Sequence, residues 1–251
     1  MPPPILSIIM PALNEEKNIA AAIEEAVLTF DKLRIAGEIV VVNDGSTDST
    51  QEIAQQKAEK HPEQVRILNH STPQGIGASF WDGVDTARGE IVCMLPGDNE
   101  NEPAETLRYL KLMEDVDIVV PFVVNTQLRS GFRKLLSFLY RTIINTTFAT
   151  TFNYTNGTVL YRKSLLTQLP KRNQGFFYQT DILIRLVKQG YLFAEVPYKL
   201  RERTAGQSKA VSLKSLRKVI KGYLALVKDI YFTKEGAATA FPADSATARR
   251  K

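Results

Sequence analysis

Five short apolar runs, each ending in a polar segment and each separated from the next by helix-like spacing, constrain the fold of this chain more than any other feature. Ile5–Met10, Glu38–Asn43, Val65–Leu68, Glu90–Leu95 and Asp117–Val124 read as buried strands. Between the first two, Asn14 reads as a helix start with Glu15 and Glu16 in the first turn, and Ile19, Ala22, Ile23 and Ala26 keep helical spacing. The polar turn Asp44–Thr50 opens a second helix, and Gly75–Ala87 spans a third. Strands that alternate with helices predict an α/β fold with a mostly parallel sheet covered on both faces. In such sheets ligands bind beyond the carboxyl ends of the strands. Three polar segments lie there, Pro11–Glu16, Asn43–Asp48 and Pro96–Glu100, and they are predicted to converge.

The second half is less regular. Residues 130–150 read as an apolar and basic helix, Tyr178–Lys188 as a helix, Leu192–Val196 as a strand and Ser212–Phe232 as a strong helix. In the last of these, Leu213, Leu216, Ile220, Tyr223, Val227 and Ile230 follow one helix face, while Lys214, Arg217, Lys218, Lys221 and Lys228 gather on another. The segment Gly131–Phe148 repeats the pattern with Phe132, Leu135, Leu136, Leu139 and Ile143 beside Arg133, Lys134 and Arg141. Such helices suit a membrane interface with anionic lipids, the domain core or a second subunit. After Thr233 the chain is rich in Ala, Thr, Ser and Pro and is expected to be a disordered tail. The expected organisation is a catalytic domain over 1–210, an amphipathic helix over 211–232 and a tail over 233–251.

Length and composition narrow the classes. At 251 residues the chain suits one large α/β domain or two small ones. The lone Cys93 excludes an internal disulfide framework. His61 and His70 lie apart in a polar region, with no zinc spacing and no His-based triad, and there is no Walker A motif. No run reaches the roughly 18–20 apolar residues of a membrane span. The N-terminus does not read as a signal peptide. A net charge of +5 points to an anionic partner or simply to a solvated basic surface.

The stretch MLPGDNENEP raises a question that a turn alone does not answer. It places Asp98 and Glu100 at the mouth of a buried strand, although Asp98 there also reads as a cap on the next helix. The segments PALNEEKNI, VVNDGSTDST, PQGIGAS and MLPGDNENEP, in this order and spacing, resemble family 2 glycosyltransferases of the GT-A fold. NYTNGTVLYRK, GFFYQTDILIRLVKQGY and RTAGQSK resemble the subgroup of dolichyl- and polyprenyl-phosphate mannose and glucose synthases. The resemblance covers about residues 5–232.

This resemblance implies a single Rossmann-like GT-A domain that is an inverting, metal-dependent enzyme with a GDP- or UDP-sugar donor. Asp98 and Glu100 would hold Mg²⁺ or Mn²⁺, since carboxylate oxygens suit a hard cation that offsets charge on a diphosphate leaving group. Pro11, Ala12, Leu13 and Glu15 would line the nucleotide pocket, with Asn43 and Asp44 at the base and Gly75, Gly77 and Gly97 where the backbone approaches. Asn156 and Gln179 would bind substrate, and Asp181 matches an acidic position near the acceptor, where it would be the general base if the acceptor is a hydroxyl. Arg203, Ser208 and Lys209 match a loop that contacts phosphates. The implied acceptor is a polyprenyl phosphate at the inner, cytoplasmic membrane face, reached peripherally or through a membrane-protein partner, with no nucleic acid involved. A sugar hydroxyl acceptor and a non-catalytic nucleotide-sugar-binding protein remain as alternatives. The chain departs from the family pattern at Pro96, which replaces the first Asp of Asp-x-Asp, and at Asn43, which replaces another Asp. Ile76 stands where a basic residue is common, and Pro121–Val124 lacks the usual Arg, for which Arg129 is the substitute in reach.

Overall fold

A computed structural model describes residues 3–125, 131–201, 213–233 and 240–251. Its strands are β1 (Leu6–Ala12), β2 (Gly37–Asn43), β3 (Val65–Asn69), β4 (Ile91–Met94), β5 (Ile118–Val123), β6 (Leu160–Arg162) and β7 (Phe193–Tyr198). They form one seven-stranded sheet in the order β3-β2-β1-β4-β6-β5-β7. β1 pairs in parallel with β2 and β4, β2 with β3, and β5 with β7. Only β6 runs antiparallel, to β4 on one side and β5 on the other. The helices are α1 (Ile19–Leu33), α2 (Thr50–Lys60), α3 (Ile76–Thr86), α4 (Pro103–Leu107), α5 (Gly131–Phe148), α6 (Lys163–Thr167), α7 (Tyr178–Lys188), α8 (Leu213–Phe232) and α9 (Ala246–Arg250).

The unbroken apolar runs have a direct cause: both faces of the sheet are covered. Ile8 and Met10 of β1 and Ile39 and Val41 of β2 pack with Ile19, Ile23 and Phe30 of α1. Ile9, Val40 and Val42 face the other way, toward Phe80, Trp81 and Val84 of α3 and Ile182 of α7. A strand buried on both sides needs no polar alternation.

The structure corrects four expectations. The first helix starts at Ile19, four residues or more after the expected start, because Asn14 takes a left-handed φ of 57° and gives its Oδ1 to the Thr47 N–H at 2.9 Å. The three-residue β6 lies in a segment that carried no strand signal. The apolar residues of α8 do not share one face: Val219, Tyr223, Leu226, Val227 and Ile230 pack on the core, whereas Leu216, Ile220 and Leu224 are exposed. The expectation of a disordered tail fails over residues 240–251. Residues 240–251 are ordered against the amino end of β5, where buried Asp117 accepts from Ser245 Oγ, Ala246 N, Thr247 N and Thr247 Oγ1. A carboxylate that receives the first N–H groups of α9 satisfies donors that a helix start leaves unpaired.

α5 and α8 touch through Tyr223 Oη and Thr147 Oγ1 at 2.8 Å, and Phe148 packs against Tyr223 and Tyr231. Their outer sides carry exposed Leu135, Leu136, Phe138, Leu139 and Ile143 on α5, beside the exposed Leu216, Ile220 and Leu224 of α8. Among the described residues no helix is long and apolar enough to cross a membrane.

Candidate nucleotide and metal site

The three polar segments at the carboxyl ends of β1, β2 and β4 do converge, and the backbone holds them together. Beyond the last strand pairs, Ala12 O accepts the Asp44 N–H at 2.9 Å, and Pro11 O accepts the Gly97 N–H at 3.0 Å. Pro11 and Ala12 therefore act through their carbonyls. Side chains lace the first two segments further. Asn14 N–H donates to Ser46 Oγ at 3.0 Å, Glu15 N–H to Thr50 Oγ1 at 2.8 Å and Glu16 N–H to Asp48 Oδ2 at 3.3 Å. Burial alone would raise the Asp48 carboxyl, but the bonds from Thr50 Oγ1, Thr50 N and Glu16 N outweigh it and hold it below the usual range. Glu15 Oε2 accepts from Asn18 Nδ2 at 2.8 Å, and Leu13 is half-buried beside it in the chain.

Asn43 fixes the turn that carries Asp44. Its Oδ1 accepts the Ser46 N–H at 3.2 Å, and its Nδ2 donates to Asn69 Oδ1 at 3.0 Å. The Asn43 amide thus serves two partners at once, as acceptor to Ser46 and donor to Asn69. Asp44 is buried and is more heavily bonded than its position in a turn suggested. Oδ1 accepts from His70 Nδ1 and from Gln74 N, and Oδ2 accepts from Gly75 N, all at 2.8 Å. Gly75 takes φ +103°, which favours glycine, and a Cβ there would meet open space. A Cβ on Gly77 would come within 2.5 Å of the Gln174 backbone, so this glycine lets residues 173–175 lie against the start of α3. A Cβ on Gly97 would meet Ile19 Cδ1 at 2.8 Å.

Asp98 does not cap the next helix. Its Oδ1 accepts the Glu100 N–H at 3.1 Å in a tight turn where Asn99 has φ 58°, and α4 starts later, after Glu102. That turn sets Asp98 and Glu100 side by side beyond β4, both half-buried. The donor set suits a hard divalent cation. Among the described residues no group of three or more His, Cys, Asp or Glu is placed to hold a metal.

The residues matched to the acceptor lie on and around α7. Tyr178 Oη lies 2.8 Å from Met94 Sδ, which brings the first turn of α7 to the last residue of β4. Gln179 Nε2 donates to Gly157 O, and Thr180 Oγ1 contacts Thr155 Oγ1 at 3.1 Å and Asn156 Oδ1 at 3.5 Å. Gln179 and the exposed Asn156 thus meet at one junction. Asp181 is buried, and both its oxygens accept from Arg185, at 2.9 and 3.3 Å. Arg185 in turn donates to Asp229 of α8 at 2.6 Å, and Lys171 joins Asp229 at 2.6 Å. Burial pushes the Asp181 carboxyl up, and the Arg185 bonds offset this only in part. Arg203, Ser208 and Lys209, together with Arg129, lie outside the described residues. The residue before that segment, Arg201, donates its N–H to Glu100 O at 3.2 Å and pairs with Glu25 at 2.6 Å.

His70 is the site residue that sequence reasoning passed over. It follows the last residue of β3 and so sits at the same sheet edge as Asp44 and Asp98. Its position at a strand's carboxyl end was the signal that could have found it.

A family model described as Glycosyl transferase family 2 matches residues 7–169. A dolichyl-phosphate beta-glucosyltransferase of Trichomonas vaginalis is 39% identical over 95 residues, covering 36% of this chain and 28% of that protein. The match thus spans little more than a quarter of that relative's length. A polyprenol monophosphomannose synthase of Mycolicibacterium smegmatis is 24% identical over 218 residues, covering 80% of this chain and 79% of that protein. Among solved structures, glucosyl-3-phosphoglycerate synthase from Mycobacterium tuberculosis, in complex with Mn²⁺, uridine diphosphate and phosphoglyceric acid, superposes with a TM-score of 0.69. It is 22% identical, and the match covers 89% of this chain and 78% of that one, which is a likeness of fold.

Proposed function

This chain belongs to glycosyl transferase family 2, and from that premise we propose that it moves a sugar, with inversion, from a nucleotide-sugar donor to a polyprenyl phosphate at the cytoplasmic face of a membrane. A lipid phosphate oxygen forms the new bond to the anomeric carbon. The bond from that carbon to the donor diphosphate breaks, and the diphosphate leaves with the electron pair. The observation that carries the reading is the convergence of Pro11–Ala12, Asp44 and Gly97–Glu100 at three neighbouring strand ends, locked by Asp44 N–Ala12 O and Gly97 N–Pro11 O. Asp44, Leu13 and Glu15 hold the nucleoside, and Asp98 and Glu100 are the residues that would hold Mg²⁺ or Mn²⁺. The bound ion offsets the charge that builds on the leaving group. Arg203, Ser208 and Lys209 contact phosphates. Support for that role comes from Arg201, which enters their segment bonded to Glu100 O.

The state of Asp181 favours a phosphate acceptor over a hydroxyl. A hydroxyl needs a general base, and the matching carboxylate is buried and ion-paired with Arg185. A phosphate monoester is anionic at neutral pH and needs none. Asp181 then positions α7 and α8. Peripheral membrane attachment is supported by the exposed apolar residues of α5 and α8 beside Arg217, Lys218, Lys221 and Lys228, all exposed.

The test is an acceptor screen with purified protein, Mn²⁺, labelled UDP- and GDP-sugars, and a short polyprenyl phosphate present or absent. Label that enters the organic phase only with the lipid is the expected result, and Asp98→Ala should lower it by roughly 100-fold or more. Donor hydrolysis without lipid labelling would move the acceptor to a hydroxyl. Donor binding with no turnover would favour a binding protein.

A further inference from the structure

Resting on the donor site proposed above, we infer that His70 positions Asp44 so that its carboxylate keeps a single acceptor for a nucleobase, which commits the pocket to uridine over guanosine nucleotides. His70 is fixed from two sides. Its N–H donates to Asn43 O at 2.9 Å, which extends the β2–β3 ladder, and its side chain is only 6% exposed. The ring lies between two carboxylates, Asp44 and Asp82. Nδ1 is 2.8 Å from Asp44 Oδ1. An ionised carboxylate only accepts, so the proton in this contact sits on Nδ1. Nε2 is 3.1 Å from Asp82 Oδ2, an ion-pair distance without a hydrogen bond. The ring is therefore tethered through Asp44.

Counting acceptors gives the base. A carboxylate offers about four lone-pair positions. On Asp44, Oδ1 takes His70 and Gln74, and Oδ2 takes Gly75. One position is left, on Oδ2. Uracil presents one ring donor, N3–H, between two carbonyls, and one acceptor satisfies it. Guanine presents adjacent donors on N1 and N2 that want both oxygens of a carboxylate, and Oδ1 has no room for the second. Cytosine lacks the N3–H, and its N4 amino group reaches the free position only with the N3 lone pair beside the carboxylate.

The test is calorimetric titration of the full chain with UDP, CDP and GDP, each with Mg²⁺, repeated on His70→Leu and His70→Asn. The expected wild-type result is UDP tighter than GDP by roughly tenfold or more, the cost of one unpaired donor. His70→Leu frees a position on Oδ1, so the ratio of UDP to GDP affinity should fall by about tenfold, while His70→Asn, which keeps a donor, should preserve it. Equal weakening of both nucleotides in His70→Leu would make His70 merely structural and overturn the inference. GDP tighter than UDP in the wild type would overturn the base assignment and leave the glycosyltransferase reading standing. No binding of any nucleotide would instead defeat the donor site itself. Should His70→Leu fail to fold, the wild-type panel and His70→Asn decide the matter.

Discussion

Asp44→Asn is the substitution in which fold and site respond together. The side chain keeps its shape but exchanges one oxygen for an amide donor. If Nδ2 takes the Oδ1 place, it faces both His70 Nδ1–H and Gln74 N–H, whereas in the Oδ2 place it faces only the Gly75 N–H, so the second orientation costs less. One charge-assisted bond is then lost, worth roughly 1.5–3 kcal/mol, and two others fall from charged to neutral strength, about 1 kcal/mol each. Gln74 is exposed and its loop can relax, so the net loss should be about 2–4 kcal/mol, a large share of the 5–15 kcal/mol typical of a folded domain. Urea unfolding at pH 7 reads the stability, and UDP titration of the same samples reads the site. The expected outcome is a lower midpoint with unchanged slope and UDP binding weakened well beyond tenfold. A stability loss below about 1 kcal/mol would refute the reasoning, since it would mean that the three donors find water as readily as they find Asp44.

Three further perturbations test the framework. Asp117→Ala removes the acceptor for Arg162 Nε, Ser245 Oγ, Ala246 N, Thr247 N and Thr247 Oγ1, and should cost about 3–5 kcal/mol while exposing residues 240–251 to hydrogen exchange; an unchanged exchange pattern would contradict the clasp. Gly77→Ala forces a Cβ to within 2.5 Å of the Gln174 backbone and should destabilise by about 2 kcal/mol, read as a drop in the urea midpoint. Bonds from Lys57 and Lys60 hold Glu24 down to about 2, from 4.5. A depressed carboxylate stabilises above its unfolded pKa and loses that stability as pH falls through the folded value. Glu24→Gln should therefore cost about 1 kcal/mol at pH 7, after allowing for solvent screening, and the gap to the wild type should close between pH 4.5 and 2. A gap that persists at the acid end would show that the pair is not electrostatic.

The sequence by itself determined the layered α/β fold, its parallel core and the place of the candidate site. Strands buried on both faces need continuous apolar runs, so Ile5–Met10 and Glu38–Asn43 announced the central strands, and the polar segments that follow them could lie only at the carboxyl edge. Local rules reached the start of α3 and the span of α7 for the same reason: their signals sit within a few residues. Tertiary structure alone decided the partners. Asn14 left its helix to lace a loop some thirty residues away, β6 formed only because β4 and β5 offered it two edges, and α8 divided its apolar residues between core and solvent. Asp181 gave its oxygens to Arg185, and Asp117 drew residues 245–247 onto the sheet. His70 gained its role only when β3 brought it against Asp44, 26 residues away in sequence. Periodicity records which side of an element is buried, but it carries no information about which distant donor meets which acceptor, and it is those pairings that shape the site.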